Sequence, residues 1–320
     1  MKLETGLKAR LSYYAIRFAA FALQMFPIDL NLRTARWAGR LLWRIDGRHR
    51  ERAREHLRAA YPGQFSEGEL DDMSRRSFEH WAMYAVEFFC AFRLLNEWSW
   101  PRYLRLENLE EAIRVALEKK GTLLLTGHFG NFELTAYMLA AVGFDAVALM
   151  RPLDNKYLND FVVKTRAAQG LRLLTKSGVM DEAVEILERG GALGFVADQD
   201  AGRKGVYVDF FGQPASTYKS IALLAMQCEV PIVVGYARRL GGRFQYVLGV
   251  QRIIYPHEWQ TRDDPMRWIT QEYTSAIEAF VRKAPEQYLW LHRRWRSRSA
   301  TRKRVRVAVN GPVDDDQRKD

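Results

Sequence analysis

From about residue 120 the chain alternates between short apolar runs closed by glycine or proline and longer stretches of helical periodicity. Few folds accommodate that pattern. Gly121 leads into Thr122-Leu123-Leu124-Leu125-Thr126, and Gly127 closes the run. A short apolar run bounded by glycines reads as a buried strand. A helical pattern follows over 131–142, then a strand over 145–150, a helix near 155–168 and a strand over 171–174. A helix over 179–189 precedes a strand over 192–197. The alternation at 206–211 predicts another strand, 216–228 reads as helix, 231–237 and 244–250 as strands, and 265–283 as a long final helix. Strands interleaved with helices predict an α/β fold with a central, mostly parallel sheet flanked by helices. Functional residues in such sheets gather where strands end and helices begin.

The region before the sheet reads differently. Residues 46–110 read as helices, with Ser66 capping one after Tyr61-Pro62-Gly63. Phe78, Trp81, Tyr84, Phe88 and Phe89 recur at helical spacing and read as core, with His80 a structural neighbour. Residues 11–26 are mostly apolar but carry Arg17 and Gln24, and Pro27 ends the helix. A confident span needs roughly 20 uninterrupted apolar residues. An interfacial anchor, a marginal single span and an ordinary buried helix all fit this stretch. Arg33, Arg36, Arg40 and Arg44 then share one helical face, with Trp37, Leu41, Leu42, Trp43 and Ile45 among them. Basic helices with interleaved tryptophan suit an anionic membrane surface, so the N-terminal helices are expected to be membrane-associated. No small-x-small cleavage site follows. The expected division is 1–45 as membrane-anchoring helices, 46–110 as a helical segment, 111–300 as the α/β core and 301–320 as a basic, disordered tail.

Composition narrows the partners. The 48% hydrophobic content excludes a disordered chain. Two distant cysteines, Cys90 and Cys228, exclude a disulfide scaffold or thiolate metal site. A formal charge of +11 predicts an acidic partner. Between Glu286 and Asp314 there is no acidic residue, while Arg293, Arg294, Arg296, Arg298, Arg302, Lys303, Arg304 and Arg306 crowd the interval. Such runs are usually solvated, or meet anionic lipid or an acidic protein. No helix-turn-helix, zinc-finger or RNP signature is present, and a nucleic-acid partner is not expected.

The chemistry lies at Thr126-Gly127-His128-Phe129-Gly130-Asn131-Phe132-Glu133. His128 stands just past a strand, between glycines, at a helix start. Glu133 follows five residues later and can lie near it. A carboxylate beside a histidine fixes the tautomer and stabilises the imidazolium, as general-base catalysis requires. No nearby serine or cysteine stands out as a nucleophile, so the substrate's own hydroxyl is expected to attack. The zincin pattern of two histidines four apart is missing.

The run from Gly127 to Leu134 resembles the His-x4-acid motif of the bacterial lipid A late acyltransferases, a group that includes phosphatidylinositol-mannoside acyltransferases. Downstream, Arg151-Pro152 with Asn155, then Arg166 and Gly170, resemble the family's arginine-bearing segments. Ala197-Asp198-Gln199-Asp200 resembles its Asp-x-Asp segment, and Phe210-Phe211-Gly212, Ala215 and Thr217 follow in the familiar order. The stretch from Pro285 to Trp295 resembles its C-terminal signature, so the likeness covers roughly 110–297.

The resemblance implies a glycerolipid-acyltransferase-like core that moves an acyl chain from an acyl-carrier-protein or coenzyme A thioester to a hydroxyl of a glycolipid, without a metal or cofactor. It casts His128 as base, Glu133 as its orienter and Asp198 as a competing orienter. Asn131 would donate a hydrogen bond at the site. Arg151 and Arg166 would hold phosphates. Asp200 would meet substrate, or cap the loop before Gly202. Tyr288 and Trp290 read as packing. A phosphatidylinositol-mannoside or lysophospholipid acyltransferase, a thioesterase, and a non-catalytic membrane or nucleic-acid binder are the competing readings.

Overall fold

The computed structural model describes residues 4–96, 98–141, 146–150, 152–167, 170–174 and 179–296. Arg151 and the basic tail from 297 lie outside the described residues. Four helices open the chain: α1 (Leu7–Gln24), α2 (Ile28–Ile45), α3 (Gly47–Ala60) and α4 (Glu67–Leu94). Pro27 separates the first two, as its missing N–H and fixed φ require. Ser66 caps α4 in a capping box. Its hydroxyl accepts from Glu69 N at 3.3 Å, and the Glu69 carboxylate accepts from Ser66 N at 2.8 Å.

The strand–helix region runs α5 (Trp100–Tyr103), β1 (Leu104–Glu107), α6 (Glu110–Leu117), β2 (Thr122–Thr126), α7 (Glu133–Ala141), β3 (Ala146–Leu149), α8 (Lys156–Ala167), β4 (Arg172–Leu174), α9 (Val179–Glu188) and β5 (Ala192–Val196). The hairpin β6 (Val206–Phe210) and β7 (Gln213–Thr217) follows, then α10 (Ser220–Cys228), β8 (Ile232–Arg239), β9 (Tyr246–Ile254), α11 (Pro256–Trp259) and α12 (Pro265–Lys283). The described strands form a seven-stranded sheet in the order β1-β9-β8-β2-β5-β3-β4. Every neighbouring pair is parallel except β8–β9. The expected mostly parallel sheet is therefore present, with β2 at its centre.

Two expectations needed correction. Leu104–Glu107, expected to be helical, is an edge strand paired with β9 through Leu104↔Tyr246. Four residues are too few to show a period, and their partner lies far along the chain. The start of the expected helix at 216–228 belongs instead to β7, which pairs with β6 in a hairpin outside the main sheet.

Strand alternation sorts β2 between two environments. Leu123 and Leu125 enter the main core with Tyr273, Ile277 and Phe280 of α12. Leu124, between them, lines a cavity on the other face.

The single-span option for the N-terminus finds no support. Among the described residues no helix is long and apolar enough to cross a membrane. Arg17 and Gln24 of α1 contact the rest of the protein: Arg17 lies over the Phe161 ring of α8 at 4.9 Å, and Gln24 Nε2 donates to Phe89 O at 3.2 Å. Ala9 and Ala20 are buried, while most of the large apolar residues face outward. Leu7, Leu11, Tyr14, Phe18, Phe21 and Met25 form an exposed stripe at helical spacing, with Phe18 72% exposed.

Candidate active site

The register of the sheet builds the site. Thr126 of β2 pairs with Val196 of β5, so residues two positions beyond each emerge side by side at the carboxyl ends of adjacent parallel strands. Those residues are His128 and Asp198. Asp198, 2% exposed, accepts two bonds: from His128 N at 3.0 Å on one oxygen and at His128 Nδ1, 2.7 Å away, on the other. Burial works against the Asp198 charge, but His128's charge and hydrogen bonds outweigh it and hold the carboxyl below its usual range. An ionised Asp198 only accepts, so Nδ1 carries the proton and Nε2 keeps its lone pair. Burial likewise lowers the His128 pKa, yet the Asp198 charge and bond, with a lesser pull from Glu133, raise it above 6.5.

The turn carrying His128 is held from behind. Gly130 has φ +56°, and a Cβ there would lie 1.8 Å from Ala237 O, so only glycine fits. Its N–H donates to Gln287 O at 3.1 Å, and Leu289 N donates to His128 O at 3.0 Å. The Gly130 carbonyl accepts from His80 Nε2 at 3.0 Å. His80 is buried, and burial with the neighbouring Arg239 pushes its pKa down to about 3, so the ring is neutral.

The other expected site residues are distributed differently. Glu133 makes no hydrogen bond to His128. It takes Arg166 Nε at 3.0 Å and Arg166 Nη2 on its two oxygens, and the Tyr84 hydroxyl donates to it at 3.3 Å. The turn over 128–132 carries Glu133, the first residue of α7, toward Arg166 of α8. Arg166 is thereby committed to a carboxylate, with its Nη1 2.8 Å from Met150 Sδ, rather than presented to phosphate. Asn131 is buried away from the cavity and donates to Glu87 Oε2 at 3.0 Å. Asp200 accepts from Gly202 N at 2.9 Å, the loop-capping alternative.

Two residues of the C-terminal signature carry more than packing. The His292 ring stacks on His128 with centroids 5.5 Å apart and planes 17° from parallel. Arg294, which the sequence places in a solvated basic run, is 1% exposed. It donates to Gln199 O at 3.2 Å, Ser216 O at 2.6 Å and Thr217 Oγ1 at 2.7 Å, tying the loop after Asp198 to β7. Only its position between Trp290 and Trp295, both buried, hinted at this. Tyr288 and Trp290 are buried as expected.

His128, Glu133 and Arg166 stand at the polar part of a cavity of about 600 Å³. Its floor is the sheet face carrying Leu124, Ala148, Gly194, Val233 and Leu248, and α6 and α7 supply the opposite wall. Strand register sets Leu124 level with both Gly194 and Val233. Small side chains at Ala148 and Gly194 leave the trough open. A Cβ on Gly194 would meet nothing closer than 3.6 Å, so the backbone does not require glycine there.

A histidine bonded to a buried carboxylate at the head of an apolar trough is an arrangement that would suit a group-transfer enzyme handling a hydroxyl and a long hydrocarbon. The family described as bacterial lipid A biosynthesis acyltransferase matches residues 6–297. The chain belongs to that family and is an O-acyltransferase. It is 27% identical over 282 residues to the lipid A biosynthesis lauroyltransferase of Escherichia coli (strain K12), covering 85% of this chain and 87% of that one. It is 26% identical over 254 residues to the lipid A biosynthesis palmitoleoyltransferase of the same organism, covering 77% of this chain and 78% of the relative. A lipid A biosynthesis acyltransferase of Haemophilus influenzae is 22% identical over 197 residues, 61% of this chain and 59% of the relative.

Proposed function

We propose that this protein transfers a fatty acyl chain from an acyl thioester, carried by acyl carrier protein or coenzyme A, to a hydroxyl of a lipid A precursor-like glycolipid at the cytoplasmic face of the bacterial inner membrane. The observation that carries the reading is the His128–Asp198 pair at the head of the apolar trough. Among the described residues, no serine, threonine or cysteine hydrogen-bonds to His128, so no enzyme nucleophile is at hand. The names of the relatives supply the acceptor class.

In this reading the acceptor hydroxyl gives its proton to His128 Nε2 as its oxygen attacks the thioester carbonyl. Asp198 keeps the tautomer and balances the imidazolium. The tetrahedral intermediate collapses with loss of thiolate, which takes the proton back from His128. Glu133 and Arg166 act as an ion pair that shapes the polar end of the trough and adds a negative potential near His128. The acyl chain lies along the sheet face between Leu124 and Leu248. Transfer of labelled acyl groups from acyl carrier protein or coenzyme A thioesters, offered lipid A precursor, mannosylated phosphatidylinositol, lysophospholipid or water alone, tests the proposal. Release of acid to water at the rate of lipid acylation would make it a thioesterase instead.

The trough makes a chain-length prediction. Gly194→Val adds an isopropyl group to the floor, at a position where the first added carbon meets nothing closer than 3.6 Å. It is expected to cut kcat/KM for the longest accepted acyl chain ~10-fold or more, with shorter chains spared, because a methylene-sized mismatch in an apolar pocket is worth that much. A uniform loss across chain lengths would place the chain elsewhere.

The exposed stripe of α1 and the apolar face of α2, with Trp37 64% exposed, form the membrane-facing surface in this reading. Arginines on α2 add attraction to anionic headgroups. Leu11→Glu with Phe18→Glu is expected to move most of the protein from the membrane pellet to the supernatant. Unchanged sedimentation would remove the stripe as the contact.

A further inference from the structure

A second cleft, of about 400 Å³, lies behind the catalytic turn, with His80 in its floor. Its cause is the close crossing of α2 over α4. A Cβ on Gly39 would meet Glu79 Cα and Phe78 O, each at 2.7 Å, so glycine alone lets these helices touch. Arg36 and Arg40, on either side of Gly39, thereby reach one carboxylate: Arg40 Nε lies 2.7 Å and Arg36 Nε 3.5 Å from Glu79. Arg75, one turn before Glu79 on α4, reaches the same carboxylate and also Asp72, while Arg76 pairs with Asp72 at 2.6 Å.

Four arginines thus share two carboxylates, a local surplus of two positive charges (4 − 2). On the far wall, Arg239 is neutralised by Glu87, and Glu286, which makes no ion pair among the described residues, lowers the surplus across the whole cleft to one positive charge. The surplus is open to solvent: the Arg36, Arg40 and Arg76 side chains are 41%, 49% and 59% exposed. Each guanidinium has five donors and matches phosphate oxygens in a fork. Opposite them stand Gly241 and Gly242, with open space where a Gly241 side chain would be. Trp37 and Leu41, the residues after Arg36 and Arg40, belong to the exposed apolar face of α2.

We propose that this cleft binds a phosphate group carried by a membrane lipid headgroup, held by Arg36, Arg40, Arg75 and Arg76. The phosphate chemistry follows from the shared arginines; the lipid source rests on the interfacial reading of α1 and α2. The acyl-transfer reaction plays no part in the inference. Bound headgroup phosphate would set the depth and tilt of α2 on the membrane and hold α4 against the back of the Gly130 turn.

The test uses the full chain and two probes. Flotation with phosphatidylcholine vesicles, with and without phosphatidic acid, reports the headgroup; calorimetric titration with inorganic pyrophosphate reports phosphate chemistry without a membrane. Arg36→Gln with Arg40→Gln is compared with Arg33→Gln with Arg44→Gln, which carries the same charge change on the same helix outside the cleft. Arg75 stays on Glu79 in both, and a melting curve checks folding. The cleft pair is expected to lose phosphatidic-acid-dependent binding and pyrophosphate affinity ~10-fold or more, because charge-assisted bidentate bonds are lost. Its binding to pure phosphatidylcholine should stay at the wild-type level. Equal losses in the two pairs would reduce the site to diffuse charge and overturn it. Pyrophosphate bound in the cleft with no response to phosphatidic acid would overturn the headgroup source. So would failure of the wild type to bind any vesicle, which removes the interfacial reading separately. Cleft-dependent capture of purified acyl carrier protein with no lipid effect would assign the arginines to a protein partner instead.

Discussion

His128→Ala is expected to lower acyl transfer roughly 10³-fold or more with folding intact, because a positioned general base contributes about that much. Near-wild-type turnover would remove His128 from the chemistry. Asp198→Asn is the sharper variant. An asparagine amide at the His128 Nδ1 position disturbs the tautomer that leaves Nε2 free, and the loss in comparable triads reaches ~10⁴-fold. The pH profile separates orientation from collapse of the site. The proposed reaction requires the base form of His128, whose pKa is raised above its ordinary value, since the Asp198 charge and bond outweigh burial. The acid limb of kcat/KM should therefore fall through a pKa above 6.5 in the wild type. In Asp198→Asn the main raising influence is gone while burial remains, so the limb should move to lower pH as the plateau drops. Glu133→Gln, which touches Arg166 rather than His128, should cost far less than Asp198→Asn. The reverse ranking would restore Glu133 as the orienter.

Glu87→Ala is expected to cost about 3–5 kcal/mol of stability, the usual result of stranding one partner of a buried ion pair. Glu87 is 0% exposed, and its carboxylate takes Arg239 Nη2 at 2.8 Å, Asn131 Nδ2 at 3.0 Å and the Tyr246 hydroxyl at 2.5 Å. Arg239 also places its Nε 3.4 Å from His80 Nδ1, the other nitrogen of the ring that holds Gly130. This cluster ties α4, β8 and β9 to the back of the catalytic turn. Chemical denaturation checks the prediction, and a loss below about 1 kcal/mol would mean that water or rearrangement compensates the stranded Arg239. Replacing both partners, Glu87→Leu with Arg239→Met, should recover much of the loss, because no charge is then left in the interior.

Much of the α/β core was legible in the residues. Apolar runs set off by glycine or proline mark the buried strands β2, β5 and β8, and a 3–4 spacing of apolar residues marks α12, because both signals are local. The short strand β1 was not legible, since its only support is a partner on β9. His128 stood out for a local reason as well: a histidine between glycines at the end of a strand.

Its orienting partner was a different matter. Glu133, five residues away, was the nearer choice along the chain, and Asp198, seventy residues on, is the one in contact. Helix geometry turns Glu133 to Arg166, while the parallel register of β2 and β5 delivers Asp198 to Nδ1. Arg294 teaches the same lesson in reverse: a residue in a basic run became a buried clamp once three carbonyl and hydroxyl acceptors converged on it. By itself the sequence determined most of the elements and singled out His128 as the candidate base, because hydrophobic period and turn chemistry act over a few residues. Which carboxylate meets the base, and which arginines face solvent, were decided by strand order and helix crossing, because electrostatic partners are chosen by distance in space.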